Sequence, residues 1–144
     1  MPESSIPQIP VVAAVIKENE KYLITKRSAH AVLPDYWEFP GGKVENGETD
    51  KVALCRELKE RLGVVIEARD MIGENGHDYG DYQVVLRIYE AAIKTGSPRA
   101  LKCKAFKWVS SAELEEHDFP PADRATMDQL LNLQPEGFTR QDKK

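Results

Sequence analysis

The chain has 144 residues, 41% of them hydrophobic, with a formal net charge of −4 and a sequence pI near 5.5. That is enough apolar material for one domain with a sizeable core and leaves little room for a second. The acidic balance argues against a general nucleic-acid or membrane surface, so any phosphate chemistry must concentrate positive charge or metal locally.

No stretch approaches the roughly 20 apolar residues of a membrane span. Residues 1–10 lack the basic start and apolar run of a signal peptide. Cys55 and Cys103 have neither metal-ligand spacing nor a disulfide framework, and read as reduced thiols in a cytoplasmic protein.

In chain order, residues 1–8 read as a flexible arm, 9–133 as a single domain and 134–144 as a frayed tail. Val11–Lys17 and Lys21–Lys26, separated by Glu18-Asn19-Glu20, predict a hairpin. Ser28–Tyr36 reads as a loop and Trp37-Glu38-Phe39 as a short strand. Gly41-Gly42 is expected to break the chain, and Glu45-Asn46-Gly47 to turn it. Thr49 can cap a helix over Asp50–Leu62 that Gly63 stops, with Val52, Cys55, Leu58 and Leu62 as its buried stripe. Val64–Ile66 and Met71-Ile72 predict two short strands, followed by longer ones at Tyr82–Ile93 and Ala105–Val109. A turn or short helix begins at Ser111, and Ala122–Leu133 reads as a closing helix. Such an order implies an α/β (α+β) fold with a mixed β-sheet between helices.

On the helix, Glu57 and Glu60 lie about 60° apart on one face, away from the expected stripe. Two carboxylates one turn apart beside a Gly-rich loop, with Glu48 nearby, can hold Mg²⁺ through hard oxygen ligands. A divalent ion there would neutralise a polyphosphate and activate water. Periodicity alone favours the plainer reading, a solvated charged face with internal Glu–Arg and Glu–Lys pairs.

The register decides between them. Gly42, Glu48, Arg56, Glu57, Leu58, Glu60, Gly63 and Val64 match the pattern G-x5-E-x7-R-E-U-x-E-E-x-G-U in which U is a bulky aliphatic residue. The segment therefore resembles the Nudix box, and only the second glutamate of the E-E pair fails, being Arg61. Trp37–Lys43, Lys26-Arg27 and Phe119–Asp123 are similar to further segments of the MutT-like subgroup. The resemblance implies a Nudix α/β/α sandwich and a pyrophosphohydrolase cleaving a nucleoside triphosphate to monophosphate and pyrophosphate. Other nucleoside diphosphate-linked substrates, an RNA 5′-triphosphate end, and a nucleotide-binding module with impaired catalysis stay open. It implies Mg²⁺ (or Mn²⁺) held by the Gly42 carbonyl, Glu57 and Glu60, with Glu48 and Arg56 steadying these groups. Arg27, Phe39, Lys43 and Asp123 would contact substrate. The partner expected is a small nucleotide, with no membrane and no stable nucleic-acid partner, on a monomer or homodimer.

At Asp123 the MutT-like pattern has asparagine. An ionised aspartate only accepts hydrogen bonds, which favours a base edge rich in donors such as an exocyclic amine. The same residue also reads as an N-cap of the last helix. An aromatic such as Tyr79 could stack a base. Two further departures concern charge. Arg61 points toward the expected metal face, either turning away or pairing with Glu57. Counting back from Trp108, Lys102 stands where the subgroup has another glutamate, and Asp78 or Asp81 are the acids that could replace it.

Overall fold

The computed structural model describes residues 7–28, 35–121 and 123–124. It opens with the expected hairpin, β1 (Gln8–Glu18) against β2 (Lys21–Lys26), in the register Lys17↔Tyr22. Asn19 and Glu20 both take positive φ, 52° and 65°. Two central residues of that hand twist in the sense that matches the flanking strands. The first strand starts at Gln8, one residue before the expected extended segment.

β1 is the hub of the sheet. It pairs in parallel with β6 (Gln83–Thr95) over Gln8↔Gln83 to Ile16↔Ala91, and antiparallel with β2 and β4 (Gly41–Lys43). Strand alternation sends Ala13 and Val15 to one face and Val12, Ala14 and Ile16 to the other, and both faces are buried. The strand order is β3-β2-β1-β6-β5, with β3 at Trp37–Glu38, β5 at Val65–Asp78, and β7 (Ala105–Val109) added on β2. Among the described residues only the β1–β6 pair is parallel, so the sheet is mixed as expected.

Gly41-Gly42 does not break the chain but forms β4, with Val12↔Gly42 in register. The two backbones approach so closely that a Cβ on Gly41 would stand 1.9 Å from the Val12 carbonyl oxygen. The glycines are there for contact rather than for a turn.

The helix α1 spans Asp50–Leu62, capped by the Thr49 hydroxyl on Val52 N–H and closed by Gly63 in the left-handed region. Its buried band differs from the expected one. Ala53, Leu54, Glu57, Leu58 and Leu62 are inside, Cys55 is half-buried, and Val52 is 55% exposed. Val52 sits about 160° around the axis from Leu54. The stripe rotates because Leu54, Leu58 and Leu62 pack on Val12, Ala14 and Ile16 of β1. That rotation carries Glu57 to the protein side of the helix.

Val65, Ile66, Met71 and Ile72 belong to one strand, β5, rather than two, and Val64 lies just before it. Register shifts at Val65/Ile66, Ala68/Met71 and Met71/Gly73 absorb its polar middle. On the opposite face from α1, Leu114 of α2 (Ser111–Leu114, with a Ser110–Glu113 capping box) and Phe119 cover Ala13, Val15 and Ile24. Pro121, Asp123 and Arg124 are helical, with Arg124 N–H donating to Pro120 O at 2.8 Å. Asp123 is therefore within a helical turn and is not its N-cap. The remainder of the expected closing helix, the 134–144 tail and most of the 28–36 loop lie outside the described residues.

The start of α1 is fastened to the sheet. Arg87 donates to both Asp50 oxygens, Nε to Oδ2 at 2.6 Å and Nη2 to Oδ1 at 2.9 Å, and Tyr89 Oη donates to Oδ2 at 2.7 Å. The Arg87 hydrogen bonds hold the Asp50 carboxyl below its ordinary 3.8. A depressed carboxylate stabilises the fold above its unfolded pKa, and that contribution is lost as pH falls through the lower folded value. Asp50→Asn is thus expected to cost about 1–2 kcal/mol at neutral pH. Urea melts of both proteins check this, and the gap between them should close below about pH 3.8.

Candidate active site

Residues 41–63 run as strand, turn and helix, and each piece places one functional group. The turn is fixed by Glu48 N–H donating to Glu45 O at 3.0 Å, with Gly47 at φ 86°. The Glu48 carboxylate folds back to accept from Glu45 N–H at 2.9 Å. It also receives Arg56, Nε at 2.6 Å and Nη2 at 2.9 Å. These hydrogen bonds, Arg56 first, hold Glu48 down at about 2. Such a carboxylate stays ionised at any working pH and loses its pairing only between its ordinary 4.5 and about 2.

Arg56 is the joint of the site. Its Nη1 donates to Glu57 Oε2 at 3.2 Å and lies 3.6 Å from Glu60 Oε1, while Nη2 donates to the Lys43 carbonyl at 3.1 Å. Loop, β4 and both helix carboxylates thus share one guanidinium. The expected steadying pair of Glu48 and Arg56 is present as geometry.

Glu57 and Glu60 differ in setting. Glu57 is 6% exposed, while Glu60 is at the surface. Gly42 presses against Glu57: a Cβ there would stand 2.2 Å from its Cδ. Only glycine lets the backbone sit against that carboxylate. Arg61 closes the other side, Nε donating to Glu57 Oε1 at 2.6 Å. Of the two sequence alternatives for Arg61, pairing is the one adopted. Burial opposes its charge, but the Glu57 hydrogen bond raises its pKa above the ordinary arginine value. Both Glu57 oxygens are therefore occupied by guanidinium groups.

Two cavities meet here. One, of about 410 Å³, is largely apolar and reaches from Val11, Val84 and Leu86 to Phe39, Lys43 and Asp123. The other, about 370 Å³, is polar and holds Glu45, Arg56, Glu57, Glu60 and Lys102. Arg27, Glu38 and Arg61 line both, forming the wall between them. All four expected substrate-contacting residues, Arg27, Phe39, Lys43 and Asp123, line the apolar cavity.

Glu38 was not foreseen. It pairs with Arg27 at 2.7 Å and sits where β3 crosses Thr25 of β2. A lone acid inside the apolar Trp37–Phe39 strand, which pairs directly with the strand leading into the Lys26-Arg27 pair, was the available signal. Glu38 and Glu45 are the further carboxylates lining these cavities, and neither Asp78 nor Asp81 lines either one. Asp78 instead accepts from Gly80 N–H at 2.8 Å in the β5–β6 turn. Tyr79 does line the apolar cavity, stacked on Tyr82 with ring centroids 5.4 Å apart.

Asp123 is 8% exposed and receives the Phe39 backbone N–H. Burial first, and the Glu38 charge second, push its carboxyl well above the ordinary value. Burial raises Glu38 too, while Arg27, which bonds it directly, opposes that rise. An ionised Asp123 can only accept from a base edge, whereas a protonated one can also donate.

A family profile described as a NUDIX domain matches residues 11–129. The chain belongs to the Nudix family. Among its relatives, a Mycobacterium tuberculosis protein named as a candidate second 8-oxo-dGTP diphosphatase is 41% identical over 117 residues, covering 79% of this chain and 82% of its own. An Escherichia coli CTP pyrophosphohydrolase is 30% identical over 125 residues, covering 87% and 93%. The solution structure of the Escherichia coli ORF135 protein superposes with a TM-score of 0.80 at 29% identity, covering 95% and 98%. This Nudix chain is thus of the MutT-like hydrolase kind, with its chemistry at a nucleotide pyrophosphate bond, and its mixed sheet with helices on both faces is the family architecture. Among the described residues, no helix is long and apolar enough to cross a membrane.

Proposed function

We propose that this Nudix protein hydrolyses a nucleoside triphosphate to the monophosphate and pyrophosphate, with the base in the apolar cavity and the phosphates in the polar one. The observation that supports it is the shared wall: a base-sized apolar chamber opens past Arg27, Glu38 and Arg61 onto the Glu57–Glu60 carboxylates. The hard oxygens of Glu57, Glu60 and the Gly42 carbonyl fit a single Mg²⁺ or Mn²⁺ ion, given the glycine cradle around Glu57. No cluster of three or more His, Cys, Asp or Glu side chains exists among the described residues to hold a fuller set. When bound, the ion supplies charge neutralisation and an activated water.

The protein's own groups do the rest. Arg56 fixes the angle between Glu57, Glu60 and the loop, and Glu48 fixes Arg56. Arg27, steadied by Glu38, and Lys43 reach the phosphate ester end of the nucleotide. Phe39 walls the base, and Asp123 reads its edge. The two unpaired thiols fit a reducing cytoplasm.

Pyrophosphate release from GTP, CTP, dCTP and 8-oxo-dGTP with Mg²⁺ or Mn²⁺ tests this reading. No turnover of any of them sinks it. Asp123 supplies a further expected outcome. Protonated, it donates and accepts; ionised, it accepts only, so the ratio of kcat/KM between bases is expected to shift about tenfold across its titration. Asp123→Asn is expected to give a ratio flat with pH. Because the folded carboxyl titrates above its unfolded value of 3.8, the unfolded chain ionises first as pH rises. Stability is therefore expected to decline above that pH in the wild type, and less so in Asp123→Asn.

A further inference from the structure

The polar cavity carries an unusual charge balance for a site built around metal. Four cationic and four carboxylate side chains line it, so it is neutral as folded. With an acid at position 61, as in the Nudix box, and at 102, as in the MutT-like subgroup, two cations would face six carboxylates. Such a cavity would stand at minus four and repel a polyphosphate until two divalent ions had entered. Arg61 and Lys102 remove that requirement.

Their placement is built in. Arg61 falls on the flank of the buried band of α1, which aims it at the wall shared by the two cavities. The chain after β6 then hooks onto the end of the helix: Leu101 N–H and Lys102 N–H both donate to the Arg61 carbonyl, at 2.9 and 3.2 Å. This sets Lys102 beside Arg61 in the cavity. Arg61 uses Nε on Glu57, and among the described residues its two terminal nitrogens have no hydrogen-bond partner. The Lys102 ammonium has no ion pair among the described residues either. Two cations with spare donors, Arg61 anchored on Glu57 and Lys102 held in place by its backbone, thus face the space where a polyphosphate would lie.

We propose that Arg61 and Lys102 form a cationic clamp that binds the polyphosphate of the nucleotide without a divalent ion. A second consequence is that Arg61 competes with metal for Glu57, because a ligand oxygen held at 2.6 Å by a guanidinium must be released before it can coordinate. The inference rests on the nucleotide reading above for its substrate class, though the clamp itself requires only a linear polyphosphate.

Calorimetric titration with inorganic tripolyphosphate, then with GTP and CTP, tests it in EDTA and in Mg²⁺. The wild type is expected to bind in EDTA within about threefold of its affinity in Mg²⁺, while Arg61→Glu and Lys102→Glu each lose about tenfold in EDTA. Wild-type binding that disappears in EDTA overturns the clamp, as does unchanged binding in both variants. Lys102 is exposed, so Lys102→Glu keeps the test decisive if Arg61→Glu fails to fold. Titration with Mn²⁺ alone reads the competition: Arg61→Glu is expected to bind it about tenfold more tightly than the wild type, and equal affinities overturn that part. Binding in EDTA without any nucleotide hydrolysis would leave the clamp standing and refute the proposed function. Hydrolysis with binding abolished by EDTA would do the reverse.

Discussion

Glu57→Gln is expected to reduce nucleotide hydrolysis about a hundredfold or more and to destabilise the fold as well. Its carboxylate receives Arg61 on one oxygen and Arg56 on the other, with a side chain only 8% exposed. Glutamine keeps one acceptor but turns an NH₂ toward a guanidinium, so donor faces donor. Two cations lose their counter-charge, and partial solvent access to both limits the penalty to about 1–2 kcal/mol. Glu60→Gln separates the two effects. Its side chain is 45% exposed and only 3.6 Å from Arg56 at its nearest, so activity should fall while the melting temperature barely moves. Steady-state pyrophosphate release and thermal melts of both variants make the comparison. Activity of Glu57→Gln within about threefold of wild type would remove Glu57 from the site.

The largest stability effect is expected at Gly41. Its Cβ would stand 1.9 Å from Val12 O and 2.8 Å from Ala13 Cα, both backbone atoms of the central strand. A flexible side chain could swing away, but β1 is paired on both edges and packed on both faces. Gly41→Ala is expected to cost more than about 3 kcal/mol, seen as a lower urea midpoint or loss of folded protein. Gly47→Ala is the contrast. Nothing lies within 4 Å of its Cβ position, so only its φ of 86° opposes the substitution, at about 1 kcal/mol. If the two variants melt alike, the close approach of β4 to β1 does not govern the stability of this sheet.

Local signals carried far. The boundaries of α1 follow from Thr49 and Gly63, which supply the hydrogen bonds and the left-handed turn that helix ends require. The first hairpin and β7 follow from apolar runs punctuated by polar turns. Signals that depend on a neighbour misled. Gly41-Gly42 has the composition of a turn, but becomes a strand because β1 needs a partner without side chains. Val52 has the spacing of a core residue, but the helix is rolled by three leucines fitting onto β1. Glu38 and Glu45 had no periodicity or motif to flag them, since each matters only for what stands across a cavity from it.

The sequence by itself determined the family, the helix that carries Glu57 and Glu60, and the charge reversal at Arg61. These are properties of spacing along one segment, where capping and 3.6-residue periodicity act within a few residues. Only the tertiary structure decided what those charges do. It rolled α1 so that Glu57 is buried, seated Gly42 on its carboxylate, and let Arg61 pair with it. It also hooked the β6–β7 connection onto the helix end, which brings Lys102 to the same cavity, and buried Asp123 in a pocket that pushes its carboxyl above the ordinary value. Desolvation and charge pairing act through space, between residues dozens of positions apart, and a linear pattern does not record them.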